Sequence, residues 1–457
     1  MQVDKEDSMD RRNFLRLGAL SGTSLLSAKW LFESPLAQAR TQEVVSVNGM
    51  LNLNLVADER LIPYGNSKRW AMTYNGIFPG PILRAKAGDT LKINLTNKLS
   101  NPTNLHTHGL HASPSGNGDN PLLMINPGET FSYSIAINKN QKSGTFWYHP
   151  HHHELSASQV ASGLAGAIIV EDSLDELPLL KGAKERIVVL ADPRIGANAS
   201  VANTSRMDSM RGRTGPHTLI NGNLNPALVQ LSQSYELWRV VNSCVSQYQH
   251  LQFPGAIMMQ ISVDSSRLPE PKPVTSIELT PGQRTEFLLI APKSGKYILR
   301  NDYEALASIT FANVSPHLIN TTLLPFTKIT SVTNRRTLNA VGRGMGMMGG
   351  GGAFTFDGKS FNPARIDQQV KFGSTEEWII NNQTNMHHPF HLHAWPFQVA
   401  DDGFGNFLEG WHDTVNLPVG GTVRIRIPFH DIKGKTVYHC HILDHEDAGM
   451  MGIVQVS

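Results

Sequence analysis

An all-β chain built of three sandwich domains is what this sequence predicts, on three observations. Short runs of Val, Ile, Leu and Thr recur between 39 glycines and 26 prolines, which is the punctuation of strands and turns. A nine-residue segment occurs three times without gaps, beginning at residues 143, 294 and 433, and spacings of that size are those of whole domains. Each copy follows a turn and an alternating strand: Pro127-Gly128 before Thr130, Pro281-Gly282 before Thr285, and Gly420-Gly421 before Val423.

The copies differ where it matters. The first ends in Tyr148-His149-Pro150-His151 and the third in Tyr438-His439-Cys440-His441, whereas the middle one runs from Ser294 to Asp302 with no histidine. After the first and third the chain repeats itself again, with Gly163 to Gly166 leading into an Ile-Ile-Val strand and Gly449 to Gly452 leading into Ile453-Val454. The domains are therefore expected at residues 43–172, 185–314 and 325–457, the middle one without metal ligands. Residues 342–352, rich in Gly and carrying Met345, Met347 and Met348, read as a loop near the start of the third.

Ahead of the first domain, Arg11-Arg12 is followed by a mildly apolar stretch and by Ala37-Gln38-Ala39, a small-x-small cleavage signal. Residues 1–39 resemble a twin-arginine signal peptide, so the mature chain is expected to start near Arg40 and to be periplasmic or secreted. No stretch approaches the roughly 18 apolar residues of a membrane span. A net charge of only +2 argues against nucleic acid or an acidic membrane surface as a partner. Two cysteines, Cys244 and Cys440, exclude a disulfide framework. Cys244 reads as a small buried hydrophobe. Cys440, between two histidines, does not.

Four histidine-rich clusters carry the chemistry: His106-Thr107-His108, His149-Pro150-His151, His388 with His391 and His393, and His439-Cys440-His441 with His445 beyond. Residues i and i+2 of a strand share a face, so each His-x-His pair presents two imidazoles side by side. Two pairs from each outer domain supply enough nitrogens for three metal ions if those domains face each other, and imidazole suits copper and zinc. Cys440 decides between them. It points away from His439 and His441, toward a side that His388 and His445 can reach and that Met450 follows. A thiolate, two imidazoles and a weak thioether make a blue-copper electron-transfer site. Structural zinc takes a closed set of four ligands, and this set is three times larger.

These residues together resemble the multicopper oxidase family, in particular its three-domain bacterial laccases and cuprous oxidases, over nearly all of the mature chain. The resemblance implies three cupredoxin-like Greek-key β-sandwiches and four copper ions. It assigns His388, Cys440, His445 and Met450 to a type 1 copper and His106 and His391 to a type 2 copper. His108, His149, His151, His393, His439 and His441 would hold a type 3 pair. No ligand position departs from the pattern, which argues against the copper-free structural and cell-division relatives. It also implies Asp119 and Glu446 as proton relays for O2 reduction, and Asp413 as a carboxylate near the place where electrons come in, binding substrate. His111, His152, His153 and His387 are expected to be neighbours or surface residues.

The donor is less sharply written. Phenols and aromatic amines, as for a laccase, are slightly preferred, with Cu(I) the close rival because thioethers such as Met345, Met347 and Met348 select it. A copper nitrite reductase would need neither the eight-histidine set nor a third domain.

Overall fold

The computed structural model describes residues 42–171, 180, 183–231, 235–264, 266–314, 324–342 and 354–457. The twin-arginine segment and Met345, Met347 and Met348 lie outside them. Strands dominate, and they form six sheets that pair into three sandwiches.

Each sandwich is wound the same way. Met50–Tyr64 runs parallel to Thr90–Asn97, which pairs antiparallel with Thr130–Ala136. Lys184–Ala191, Tyr235–Asn242 and Arg284–Ile290 repeat that arrangement, and so do Asn334–Gly342, Ser374–Asn382 and Thr422–Phe429. The three copies of the nine-residue segment become the strands Gly144–His149, Gly295–Asn301 and Gly434–Cys440. Each pairs antiparallel with the strand that follows it in its own sandwich.

Alternation explains the outer strands. In Met50–Tyr64 the leucines 51, 53 and 55 are buried while Asn52 and Asn54 face water, and Thr90–Asn97 answers with Leu91, Ile93 and Leu95 inward. Each sandwich closes over its own core, around Phe146 and Tyr148 in the first, Trp238 and Phe287 in the second, and Trp378 and Trp395 in the third.

Two smaller clusters tie the sandwiches together. Trp147, Ile169 and Ile82 of the first pack against Val189 and Val241 of the second. Ala157 and Val160 of helix α1 (Ser156–Ser162) meet Val245 of the second sandwich and Leu443 of the helix Leu443–Asp447 in the third. A buried side chain of this size contributes about 1.5–3 kcal/mol. An ion pair joins the same region: Asp444 of that last helix accepts from Arg213 Nε at 3.0 Å and Nη2 at 2.7 Å. Asp447 caps α1, accepting from Ser156 and Ala157 N–H groups at 3.1 and 2.8 Å. Asp444, in the first turn of its helix, is buried at a domain interface, and Asp447 caps the helix of another domain.

Candidate metal centres

The ladders that carry the histidines set them face to face. His106 lies opposite His149 where His106–His108 pairs with Gly144–His149, and His391 lies opposite His439 where His388–Leu392 pairs with Gly434–Cys440. The first and third sandwiches then bring both ladders to one interface, and all eight histidines of the His-x-His pairs are buried.

Their ring nitrogens fall into three convergent groups: His106, His108 and His391; His108, His149 and His441; and His151, His393 and His439. The atoms of each group lie within 4.8 Å of one another. His439 Nε2 is 3.1 Å from His151 Nε2 and 3.0 Å from His393 Nε2, and His441 Nε2 is 3.3 Å from His108 Nδ1. Nε2 of His106, His149 and His391 is buried with no hydrogen-bond partner. Buried polar atoms are ordinarily satisfied, so orphaned nitrogens aimed at one another fit a bound cation.

The opposite nitrogens are held from behind. His149 Nδ1 donates to the Pro150 carbonyl at 2.9 Å, His439 Nδ1 to the Cys440 carbonyl at 3.0 Å, and His391 Nδ1 to the Asp413 carbonyl at 2.8 Å. His106 Nδ1 donates to Asp119 at 3.0 Å. His108 is turned the other way: its Nε2 faces Asp413 Oδ1 at 3.0 Å, so Nδ1 looks inward. Such outer bonds fix the tautomer and leave one lone pair free. Burial, helped by neighbouring rings, holds His108, His149, His391, His393 and His441 well below the usual imidazole value. His151 is pushed down to about 3, again chiefly by burial. Neutral imidazoles are the form that ligates metal.

Across the strand from His439 and His441, Cys440 faces a second group. Its Sγ is 3.5 Å from His388 Nδ1 and 3.7 Å from His445 Nδ1, and Met450 is buried beside it in the same core. Burial lowers His388 to about 2 and His445 to about 4. It pushes the Cys440 thiol up, a shift that a coordinating cation reverses outright. The Phe354 ring rests against both imidazoles, with centroids 4.8 and 4.7 Å away. Cys244 is buried elsewhere, in the core of the second sandwich.

The acids separate. Asp119 is buried behind His106 and also accepts from the Thr107 N–H at 3.0 Å. Glu446 is fully buried, 3.0 Å from His439 Nδ1 and 3.6 Å from His151 Nε2. Both therefore touch the eight-histidine cluster.

Asp413 corrects an expectation. It does not face a substrate beside His445: it is 2% exposed, with its oxygens on His108, Thr414 and the guanidinium of Arg284. The reason is register. The strand Thr414–Leu417 pairs with His388–Leu392 so that Thr414 lies opposite His391, which carries Asp413 to the histidine cluster. Arg284 itself was missed, although the Pro281-Gly282 turn beside it marked the repeat.

Of the accessory histidines, His387 is exposed and His152 and His153 are half-buried. His111 is buried and bridges the first and third sandwiches, contacting the Ala394 carbonyl through Nδ1 and Asp431 through Nε2 at 2.8 Å.

Comparison with known proteins agrees with this geometry. Three profiles described as multicopper oxidase match residues 55–175, 196–322 and 328–457. A multicopper oxidase of Staphylococcus haemolyticus is 30% identical over the whole of this chain and 99% of its own length. A solved multicopper oxidase from Campylobacter jejuni, described as a metallo-oxidase, superposes with a TM-score of 0.79 at 29% identity, covering 93% of this chain and 94% of that one. A laccase from Pediococcus acidilactici gives 0.81 at 26% identity, covering 93% and 94%.

Proposed function

The chain belongs to the multicopper oxidase family, copper oxidoreductases that take electrons from a reducing substrate and pass them to O2, and we propose that it holds four coppers for laccase-type turnover. His388, Cys440, His445 and Met450 would hold a type 1 ion, His106 and His391 a type 2 ion, and the other six clustered histidines a type 3 pair. The observation that carries this reading is a single strand end: His439 and His441 point into the eight-histidine cluster while Cys440, between them, faces His388 and His445. Copper in these sites would accept electrons singly at Cys440 and supply four to O2.

The residues of the chain supply the rest. The backbone joining Cys440 to its two neighbours is a short covalent route between the sites. Reduction of O2 to two waters takes up four protons, and two buried carboxylates stand at the cluster to deliver them. Asp119, accepting from His106 Nδ1, and Glu446, 3.0 Å from His439 Nδ1 and 3.6 Å from His151 Nε2, would each relay protons from beside the cluster. Residues 1–39 would direct export by the twin-arginine route to the periplasm or beyond, a reading that a mature N-terminus near Arg40 in secreted protein would support.

Phenols and aromatic amines are the proposed donors, in keeping with the likeness to a laccase. One observation favours Cu(I) as a second reading. His388 and His445 are 0% and 1% exposed among the described residues, and the Phe354 that covers both lies six residues after Met348 in a sequence that also carries Met345 and Met347. A small ion needs less of an opening than an aromatic ring. O2 uptake by copper-loaded protein, with 2,6-dimethoxyphenol against Cu(I), separates the two. Faster turnover with the phenol, indifferent to deletion of residues 345–348, supports the laccase reading. Faster turnover with Cu(I), cut by that deletion, replaces it. No uptake with either donor rejects both.

A further inference from the structure

The second sandwich carries none of the proposed ligands, yet one of its turns reaches the eight-histidine cluster. Arg284 opens the strand Arg284–Ile290 and is 1% exposed. Its Nη1 and Nη2 donate to Asp413 Oδ1 and Oδ2 at 2.7 and 2.6 Å, the two-pronged geometry that suits a guanidinium to a carboxylate. Asp413 in turn meets His108 Nε2 through Oδ1 and takes His391 Nδ1 on its own carbonyl. One residue therefore stands behind a histidine of each outer sandwich, and Arg284 fixes that residue.

The guanidinium is itself locked from several sides. Its Nε donates to the Thr145 carbonyl at 3.1 Å, Nη1 reaches the Gly282 carbonyl at 3.3 Å and Asp264 Oδ1 at 3.5 Å, and the Phe146 ring lies 5.6 Å away. Gly109 makes room for it: a Cβ there would come within 2.4 Å of Nη2, on a backbone at φ +85°. The same turn touches the cluster again, because a Cβ on Gly282 would lie 2.7 Å from His441 Cδ2. Without that fork the carboxylate is free to rotate off His108 Nε2, and the segment that offers its carbonyl to His391 Nδ1 loses an anchor.

We propose that Arg284 is a positioning residue of the copper cluster, acting through Asp413 on His108 and His391, so that the copper-free sandwich forms one wall of the centre. The inference rests on the copper assignment above. Lysine keeps the charge but presents a single point in place of a fork, so Arg284→Lys tests the geometry and Arg284→Met the charge.

Both variants, with Asp413→Asn and the double variant Arg284→Lys/Asp413→Asn, would be loaded with copper and compared with the unsubstituted protein. The readouts are copper per chain, blue absorption, the electron paramagnetic signal of the type 2 ion and the near-ultraviolet band of the coupled pair. Arg284→Lys is expected to keep its blue absorption while affinity for the other coppers falls roughly 10–100-fold, the usual effect of removing an outer partner. The double variant is expected to lose no more than Asp413→Asn alone, since both changes break one connection. Unchanged copper content and signals in Arg284→Lys, or additive losses in the double variant, would overturn the proposal. So would a lowered melting temperature with the copper signals intact, which would make Arg284 domain glue only. If Arg284→Met does not fold, Arg284→Lys decides. If the unsubstituted protein shows neither the type 2 signal nor the coupled band, the copper assignment falls and the inference with it.

Discussion

Cys440 Sγ lies 3.5 Å from His388 Nδ1, although 52 residues separate them, because their strands are neighbours and Phe390 stands opposite Cys440 in the ladder. The thiol therefore faces away from the histidines that flank it in sequence. Cys440→Ser should abolish blue colour and turnover, leaving one copper fewer per chain and the signals of the other three in place. Sustained O2 uptake by that variant would falsify the electron route.

Glu446 can be tested as a proton donor without moving its neighbours. Glu446→Gln keeps the shape at His439 and His151 but cannot cycle a proton. The turnover number with O2 should fall by roughly 10²-fold or more, the usual share of a general acid, with the donor KM unchanged. A larger solvent isotope effect should accompany the loss. If turnover and isotope effect both stay put, protons come by another path.

Gly282 reports on the close approach of the second sandwich. Its φ of +88° already disfavours any other residue, and a Cβ would press on the His441 ring. Gly282→Ala should cost about 1–3 kcal/mol of stability from backbone strain and weaken the near-ultraviolet band of the coupled pair. An intact band in a folded variant would show that His441 has more room than these distances allow.

Asp192 predicts a pH dependence remote from the metal residues. Burial raises its carboxyl to about 7, against the opposing effects of the Gly215 N–H at 3.0 Å and the Cys244 thiol. The folded form thus binds a proton that the unfolded form releases near pH 4. Its stabilising effect is complete in acid and disappears as pH rises through about 7. Relative to Asp192→Asn, the unsubstituted protein should lose about 1.4 kcal/mol per pH unit across that window. Denaturation curves at pH 5 and pH 8 measure it, and a constant difference between the two proteins would refute the buried neutral acid.

Much of this was legible in advance. The threefold segment foretold three sandwiches because strand, turn and glycine positions recur in each, and the histidine clusters stood out because ligand residues were dense at i, i+2 spacing. Asp413 and Arg284 were not legible for a physical reason. The strands that place them, His388–Leu392 and Arg284–Ile290, are buried along their whole length. Period-two alternation therefore gave no facing side, and register came from packing alone. Arg284 and Asp413 are 129 residues apart and meet only once the domains have docked. Asp413 was placed by analogy with relatives, and the analogy put it beside the wrong site.

His108 and His441 meet at 3.3 Å across 333 residues of chain. Contacts of such long sequence separation form late, since a long loop must close before they are rewarded. A ribosome that has made the first two sandwiches has produced His106, His108, His149 and His151, and no group in which those four suffice. The remaining nitrogens emerge only with the last strands, so the centre cannot capture its ions from a partial chain. Occupancy of the cluster then serves as a mark of completed synthesis: a chain cut short before its last strands, or one whose outer sandwiches fail to dock, does not have the full set of nitrogens for every group.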